Sequence, residues 1–545
     1  MTGLPAMHLF YMTLRQALLL NRQCCRQLST SRTRAREVLP SKAPKSSPKN
    51  KHIRQNPVER QSDTPLRAAK LSEEWLNSQK NARELPPSIA LKPSFNIKHI
   101  WQNPELYSRN CLERNYNSQS DTPFKIAQLH EQWLQSQKIA RGLREKSNAI
   151  QTQLSHANTF SGRETGSHDL GEEEIERLSE EARKIKRELE PIGEREKCLL
   201  EETQRLAAEL PNLTSDEKPR GELKIIGFIN EPLNQPPSSS RDHVHIGTEL
   251  DLLEFKKAAT TSGWGWYFLK NEATLLEDAL VGYAKQVAKE HGFTFVTPPS
   301  MVYSHIASAC GFRPRDQSRQ VYNIQQVEED QGHDNPGLSL AGTAEIPFAG
   351  MEANQILDAA DLPVKVVGSS RCYRAEAGAR GQAGRGLYRV HEFTKVEMFA
   401  WTAPGAEMDV FNSILSVQKT ILQKLGLRCR ILEMPSHDLG ASAYRKQDIE
   451  AYFPSRHGRN DGWGEVTSAS ICTDYQTRRL NTRVKNLAGS EKKTDFPSTV
   501  NGTAVAVPRV LAALLENGWD ENGFVRIPEV LWPWMHGVRT IRKKH

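Results

Sequence analysis

The chain has 545 residues, 37% hydrophobic and 25% charged, enough for two or three domains with real cores. Its formal charge of +8 is unevenly spread: residues 1–60 carry 12 Lys and Arg against 2 acids, and the rest is close to neutral. The basic excess is thus a leader, which excludes a body that binds acids over its whole surface. The eight cysteines form no C-x-x-C and no Cys/His ladder, which argues against a disulfide framework or a structural zinc.

Residues 1–36 contain Arg15, Arg22, Arg26, Arg32, Arg34 and Arg36 and no acid, with Leu14, Leu18 and Leu19 at helical spacing among the first of them. This is the composition of a mitochondrial transit peptide, with a processing point near Leu28 and Ser29, and it outweighs a plain basic tail. The expected location is the mitochondrial matrix. The run Ala17–Leu20 is too short to span a membrane, so no membrane insertion is expected. Residues 37–95 read as a linker that holds a partial duplicate. "QSDTP" stands at Gln61–Pro65 and again at Gln119–Pro123, and "EEWLNSQK" (Glu73–Lys80) is answered by "EQWLQSQK" (Glu131–Lys138). In the first copy Pro86-Pro87 stops the helix early, and a lone short helix is marginal in water. The second copy opens a long element.

From Asp121 to about Leu154 the apolar positions Ile126, Leu129, Trp133, Ile139–Ala140 and Leu143 predict a helix, with Pro123 in its first turn. A glycine-containing loop follows. A second helix is predicted from Glu172 to Leu210, with Ile175, Leu178, Ala182, Ile185 and Leu189 on one side and a kink at Pro191. Two long helices joined by a short loop make an antiparallel hairpin. The first is basic (Lys125, Lys138, Arg141, Arg144, Lys146) and the second acidic. Either the faces complement each other or the basic helix meets a polyanion. A proline-rich linker is read over 216–245. Beyond it, strands and helices alternate in mixed order, which predicts an α+β domain on a largely antiparallel sheet. No G-x-G-x-x-G or Walker loop appears, so a nucleotide must be held some other way.

The chemistry concentrates in "VGSSRCYRAEAGARGQAGRGLYRVHEFTKVEMF" (Val367–Phe399), which reads as strand, Gly/Ala-rich loop, strand. Period two puts Cys372, Arg374 and Glu376 on one face of the first strand, and Arg389, His391, Phe393, Lys395 and Glu397 on one face of the second. Such a face suits a phosphorylated aromatic ligand: arginines for phosphate oxygens, Phe393 as a surface for a base, Glu376 as acceptor for an exocyclic amine. A surface hairpin of mixed charges explains any single arginine but not the whole pattern.

This segment resembles motif 2 of class II aminoacyl-tRNA synthetases, in the form it takes in seryl-tRNA synthetases. "FTFVTPPSMV" (Phe293–Val302) resembles motif 1, a dimer-interface element. "AGTAEIP" (Ala341–Pro347) is similar to the seryl enzymes' amino-acid loop, and "STVNGTAVAVPRVLAALLEN" (Ser498–Asn517) to motif 3. The resemblance implies a class II antiparallel sheet flanked by helices, preceded by the hairpin as a tRNA-binding coiled-coil arm. The boundaries would be 96–215 for the arm and 246–545 for the catalytic domain. It also implies serine, ATP and tRNA(Ser) as partners, a homodimer, and Mg²⁺ as cofactor with no zinc.

By the same resemblance Arg374 meets the α-phosphate and Arg389 the β- and γ-phosphates, while Phe393 and Arg509 sandwich the adenine. Glu376 reads the adenine amine, with Ala375, Val390 and His391 beside it. Glu465, Val466, Thr467 and Ser468 supply further ATP contacts, and Glu465 and Ser468 hold the metal. Thr343, Ala344 and Glu345 take the serine ammonium, Glu397 the hydroxyl, and Thr503, where a serine is frequent, keeps a hydroxyl contact. The loop 377–386, with Arg380 and Arg385, faces the tRNA acceptor end. The 36 residues after Arg509 leave no room for a C-terminal anticodon-binding domain. The alternative, a synthetase-like protein that has lost catalysis and binds RNA or a partner, fits poorly with retention of Arg374, Arg389, Arg509, Glu345 and Glu397.

Overall fold

The computed structural model describes residues 91–160, 171–217, 219, 221–230, 241–312, 320–326, 336–376, 386–458, 460–485 and 493–543. The chain divides into two units, Met1–Leu85 and Pro86–His545, and the described residues all belong to the second. The expected transit peptide, the first copy of the repeat, and Arg380 and Arg385 lie outside the described residues.

Two short helices, α1 (Ile97–Gln102) and α2 (Pro104–Glu113), lead into two long ones, α3 (Thr122–Phe160) and α4 (Glu172–Glu209). The second copy of the repeat opens α3 with Thr122 and Pro123, and its Glu131–Lys138 stretch lies inside that helix. On α3 the sheltered positions are Ile126, Leu129, Trp133, Ser136, Ala140, Leu143, Ser147, Ile150 and Leu154; on α4 they include Ile175, Leu178, Ala182, Ile185, Leu189, Ile192, Glu196, Leu199, Thr203 and Leu206. The steps alternate between three and four, the 3.5-residue repeat of a left-handed coiled coil. Ile139, expected on the seam, is 60% exposed, and its neighbour Ala140 takes the place. Pro191 sits inside a helix that continues past it, and the repeat keeps its phase from Leu189 to Ile192. Arg144 meets Glu196 across the helices at 3.4 Å, whereas Lys125, Lys138, Arg141 and Lys146 are exposed.

The arm's root is bolted to the body. Arg114, fully buried, donates to the carbonyls of Asn212 (2.9 Å), Ala443 (2.9 Å) and Gly440. The Asn212 amide donates to the carbonyls of Ser442 and Cys472, both at 2.9 Å. Arg479 donates to the carbonyl of Leu210 at 3.1 Å. An apolar knot of Ile100, Cys111, Ile126, Leu206 and Leu210 fills the centre, and Trp101 stacks on His130 at 4.7 Å.

The body is built on an eight-stranded sheet of β1 (Lys224–Ile229), β2 (Thr294–Phe295), β3 (Val364–Tyr373), β4 (Glu392–Thr402), β5 (Cys429–Glu433), β6 (Arg445–Tyr452), β7 (Trp463–Thr473) and β8 (Ser498–Ala506). The order is β1-β5-β6-β7-β8-β4-β3-β2, antiparallel throughout except for the β2–β3 edge. The span 216–245, expected to be linker, contributes edge strand β1: "KIIGFI" is apolar and β-prone, and pairing with β5 satisfies its backbone.

Six further helices matter for the site: α5 (His243–Glu249), α6 (Glu272–Glu290), α7 (Glu345–Met351), α8 (Glu407–Lys424), α9 (Tyr475–Leu480) and α10 (Val507–Gly518). On α6 the buried residues Leu276, Ala279, Leu280, Tyr283 and Val287 fall at helical spacing and face the sheet. Strand β4 shows that both faces of the sheet are covered. Val396, Met398 and Ala400 join the core under α6, α8 and α10, and Phe399 and Trp401 join a second core with Phe348 of α7. Burial therefore does not alternate along β4, where alternation between a site face and a core face was expected.

Candidate active site

The first chemical segment folds as an antiparallel pair, with Tyr373 opposite Glu392 and Cys372 opposite Phe393. Strand β3 ends at Tyr373 and β4 begins at Glu392, so Arg374, Glu376, Arg389 and His391 lie beyond the strand ends and not on strand faces as expected. The chain must turn here to carry the glycine-rich loop, and Glu376 adopts φ 43°. One ladder-like bond persists, from Arg374 N–H to His391 C=O at 2.9 Å.

Beyond the strand ends opens a cleft of about 530 Å³. Of the expected ATP residues, Arg374, Glu376, Arg389, Val390, Phe393, Glu465, Val466, Thr467, Ser468 and Arg509 line it, as does Thr503. The Arg374 guanidinium lies 5.3 Å from the centre of the Phe393 ring. Arg389 faces Glu376 at 3.9 Å. Arg509, in the first turn of α10, pairs with Glu465 at 3.2 Å and lies 4.9 Å from the centre of the Tyr388 ring. Ala375 and His391 are not among the lining residues. The His391 ring stacks on Trp266 with centroids 6.0 Å apart, and its Nδ1 is 2.9 Å from the Tyr322 hydroxyl.

The cleft is electrostatically prepared for anions and for a cation at one point. Partial burial pushes the Glu465 carboxyl up, but Arg509, Lys446 and Arg374 outweigh it and hold the pKa at about 2. Ser468, two residues beyond Val466 on β7, stands opposite Asp448 of β6. An ionised carboxylate and a hydroxyl lining the same cleft are an all-oxygen donor set, which fits a hard divalent cation such as Mg²⁺ and not zinc.

Adjoining the cleft, through Lys395 and Thr503 of its lining, is a buried cluster of acids and hydroxyls. Thr343, Ala344 and Glu345 are 1%, 0% and 7% exposed, and Glu397 and Thr503 are 1% and 5% exposed. Glu345 opens α7, and its carboxylate accepts from the Gln476 amide at 2.7 Å. Gln476, carried by α9, in turn accepts from the Thr499 hydroxyl at 2.6 Å. Glu397 is paired with Lys395 at 2.7 Å and accepts from the Thr503 hydroxyl at 3.1 Å. Register explains the second group: Thr503 of β8 lies directly opposite Glu397 of β4, so their side chains share a face. Burial, then the charge of Glu397, raise the Glu345 carboxyl to about 7 against the pull of Lys395. Two buried acids with hydroxyls beside them suit a small ligand with an ammonium group and a hydroxyl.

Three members of the site escaped the sequence. Gln476 holds Glu345 from 131 residues away, a contact no local pattern reveals. Tyr388, which the sequence reading did not place in the site, has its ring under Arg509 at the cleft. Lys395 was placed on the right face, but its pairing with Glu397 two residues on was not seen.

Comparison with known proteins agrees with this geometry. The family model for the seryl-tRNA synthetase N-terminal domain matches residues 95–214, and that for the tRNA synthetase class II core domain (G, H, P, S and T) matches residues 326–518. The mitochondrial serine–tRNA ligase of Saccharomyces cerevisiae is 42% identical over 337 residues, covering 61% of this chain and 72% of the relative. The serine–tRNA ligase of Rhodopirellula baltica is 36% identical over 434 residues, covering 79% and 96%. The solved structure of seryl-tRNA synthetase from Pyrococcus horikoshii complexed with ATP superposes with a TM-score of 0.73 at 30% identity, over 83% of this chain and all of that one. The chain belongs to the seryl-tRNA synthetase family, the serine–tRNA ligases among class II aminoacyl-tRNA synthetases.

Proposed function

We propose that this chain activates serine with ATP and transfers it to the 3′ end of tRNA(Ser) in the mitochondrial matrix, acting as a homodimer. The observation that carries the reading is an arginine-lined cleft with aromatic rings that adjoins a buried cluster of two acids, Glu345 and Glu397. In the first step a serine carboxylate oxygen attacks the α-phosphorus of ATP and pyrophosphate leaves. Arg374 neutralises the charge that builds on the α-phosphate, and Arg389 holds the β- and γ-phosphates. No protein nucleophile is needed, because positioning and charge stabilisation suffice. The adenine lies between Phe393 and Arg509, with Glu376 accepting from its amine. Glu345 and Thr343 take the serine ammonium, and Glu397 with Thr503 its hydroxyl. A site built to hydrogen-bond a hydroxyl rejects the analogue without it by roughly 10⁴–10⁵. Mg²⁺, when bound, supplies positive charge beside the phosphates. Glu465 and Ser468 are the residues that would hold it.

In the second step the terminal ribose hydroxyl of the tRNA attacks the seryl carbonyl carbon and AMP leaves. The arm, with Lys125, Lys138, Arg141 and Lys146 exposed along α3, grips the tRNA outside the anticodon by phosphate and shape. Phe295 and Met301, 44% and 47% exposed in the motif 1 stretch, support a subunit interface there. The matrix location is supported by the acid-free arginine-rich leader and by the mitochondrial name of the yeast relative. The deciding assay is serine-dependent ATP–pyrophosphate exchange. Folded protein that shows no exchange above a serine-free blank overturns the catalytic reading, and a tagged full chain that stays outside mitochondria on fractionation overturns the location.

A further inference from the structure

The glycine-rich loop returns to the body at Gly386–Tyr388, immediately before Arg389 and Val390 of the cleft. What fixes that return is a buried pair that the proposed chemistry does not use. His243, the first residue of α5, is 6% exposed, and Glu516, near the end of α10, is 3% exposed. The two are 273 residues apart in the chain. Glu516 accepts from the His243 backbone N–H at 3.1 Å, from His243 Nδ1 at 2.8 Å and from the Ser455 backbone N–H at 3.2 Å. A carboxylate surrounded by donors accepts only, so the imidazole proton sits on Nδ1 and Nε2 is left as an acceptor. The Leu387 backbone N–H meets that Nε2 at 3.0 Å.

The next carbonyl is held from the other end of the same helix: Arg509, in the first turn of α10, donates from Nε to the Tyr388 carbonyl at 3.3 Å. Helix α10 thus grips two successive residues of the loop's return, one through Glu516 and His243, the other through Arg509. Gly386 closes the arrangement. Its φ is +74°, and a Cβ there would run into His243 Nε2 and Val244 Cγ2. Packing alone would be served as well by apolar residues, since a buried charge is costly to desolvate. The pair's distinctive product is one oriented acceptor aimed at one backbone N–H.

We infer that His243 and Glu516 are positioning residues for the ATP cleft, setting the backbone from which Tyr388 and Arg389 reach the nucleotide. The inference rests on the proposed ATP-dependent reading of that cleft. The test compares two substitutions in the full chain. His243→Asn keeps an amide donor at the reach of Nδ1 but offers Leu387 no acceptor. His243→Gln puts an amide oxygen at the reach of Nε2 but gives up the Nδ1 bond to Glu516. In pyrophosphate exchange the KM for ATP should be about tenfold higher in His243→Asn than in His243→Gln, the order expected for one buried hydrogen bond. The KM for serine should be the same in both. Hydrogen–deuterium exchange of the peptide containing Leu387 should be faster in His243→Asn than in His243→Gln. Equal KM values for ATP in the two variants, or KM values for ATP and serine that rise together, overturn the inference. Should either variant fold poorly, Gly386→Ala serves instead: it should raise the KM for ATP selectively, and a wild-type value overturns the inference. If wild-type protein shows no serine-dependent exchange, the functional reading fails, and the deuterium comparison still decides the role of His243.

Discussion

The raised pKa of Glu345 makes a prediction that can be worked through. If this carboxylate receives the serine ammonium, only its ionised form serves. Burial and Glu397 place its pKa at about 7, so at pH 6 only about one molecule in ten is competent, and competence falls about tenfold per pH unit below that. Because kcat/KM reports the free enzyme, kcat/KM for serine in pyrophosphate exchange should climb steeply from pH 5.5 and level off above 7. The phosphates of ATP titrate in the same range, so the comparison that counts is with Glu345→Gln. That variant should lie about 10- to 100-fold below wild type at pH 8, the loss of a hydrogen bond to a charged group, and the two profiles should converge as pH falls. Profiles that run parallel from pH 5.5 to 8.5 would refute the assignment. Stability offers an independent check with a definite sign. A carboxyl whose folded pKa is raised from 4.5 to about 7 contributes stability that is whole below 4.5 and is lost as pH rises through 7. Glu345→Gln should therefore melt higher than wild type at pH 8, and the gap should shrink towards pH 4.5 in a calorimetric series.

Arg374→Ala should reduce pyrophosphate exchange by at least about 100-fold, the scale of one lost charge-stabilising donor, while a filter-binding assay finds tRNA affinity nearly unchanged. Excising 133–199 and closing α3 onto α4 above the root knot should do the reverse: exchange persists and charging of tRNA fails. Binding through the intact arm should weaken steeply between 50 and 200 mM salt, and a flat dependence would speak against phosphate contacts. Arg114→Leu strands several buried carbonyls at the root and should cost about 3 kcal/mol in chemical denaturation.

The arm was largely legible in the sequence because a coiled coil writes its packing locally, in steps of three and four. Ile139 and Ala140 show the limit: adjacent apolar residues leave the seam ambiguous by one position, and only the opposing helix chooses. The cleft residues were legible as residue types, since phosphates require arginines and a base requires a flat apolar surface. Their backbone was not. Period two was extended across Arg374, Glu376, Arg389 and His391, although the strands stop at Tyr373 and begin again at Glu392. His391 looked like a ligand contact, but the Trp266 and Tyr322 rings that claim it come from other segments of the chain. Gln476, His243 and Glu516 were invisible for the same reason. Each acts through a contact with at least one residue more than 100 positions away. Strand β1 was hidden by the prolines on either side of it, which read as linker, while its six residues found a sheet edge to complete.

The root of the arm has a consequence for how such proteins can be recombined. Its side-chain donors, Arg114 and Asn212, belong to the arm segment, and what they bind in the body is mostly main chain: the carbonyls of Gly440, Ser442, Ala443 and Cys472, with the Thr473 hydroxyl beside them. Every residue has a carbonyl, so the socket survives substitution of the residues that form it provided the backbone keeps its course. Arg479 mirrors this from the body by seizing the carbonyl of Leu210. A foreign arm transplanted with its own Arg114 and Asn212 equivalents should seat on this body provided the socket keeps Thr473, and the two parts can otherwise drift in sequence while the joint stays rigid.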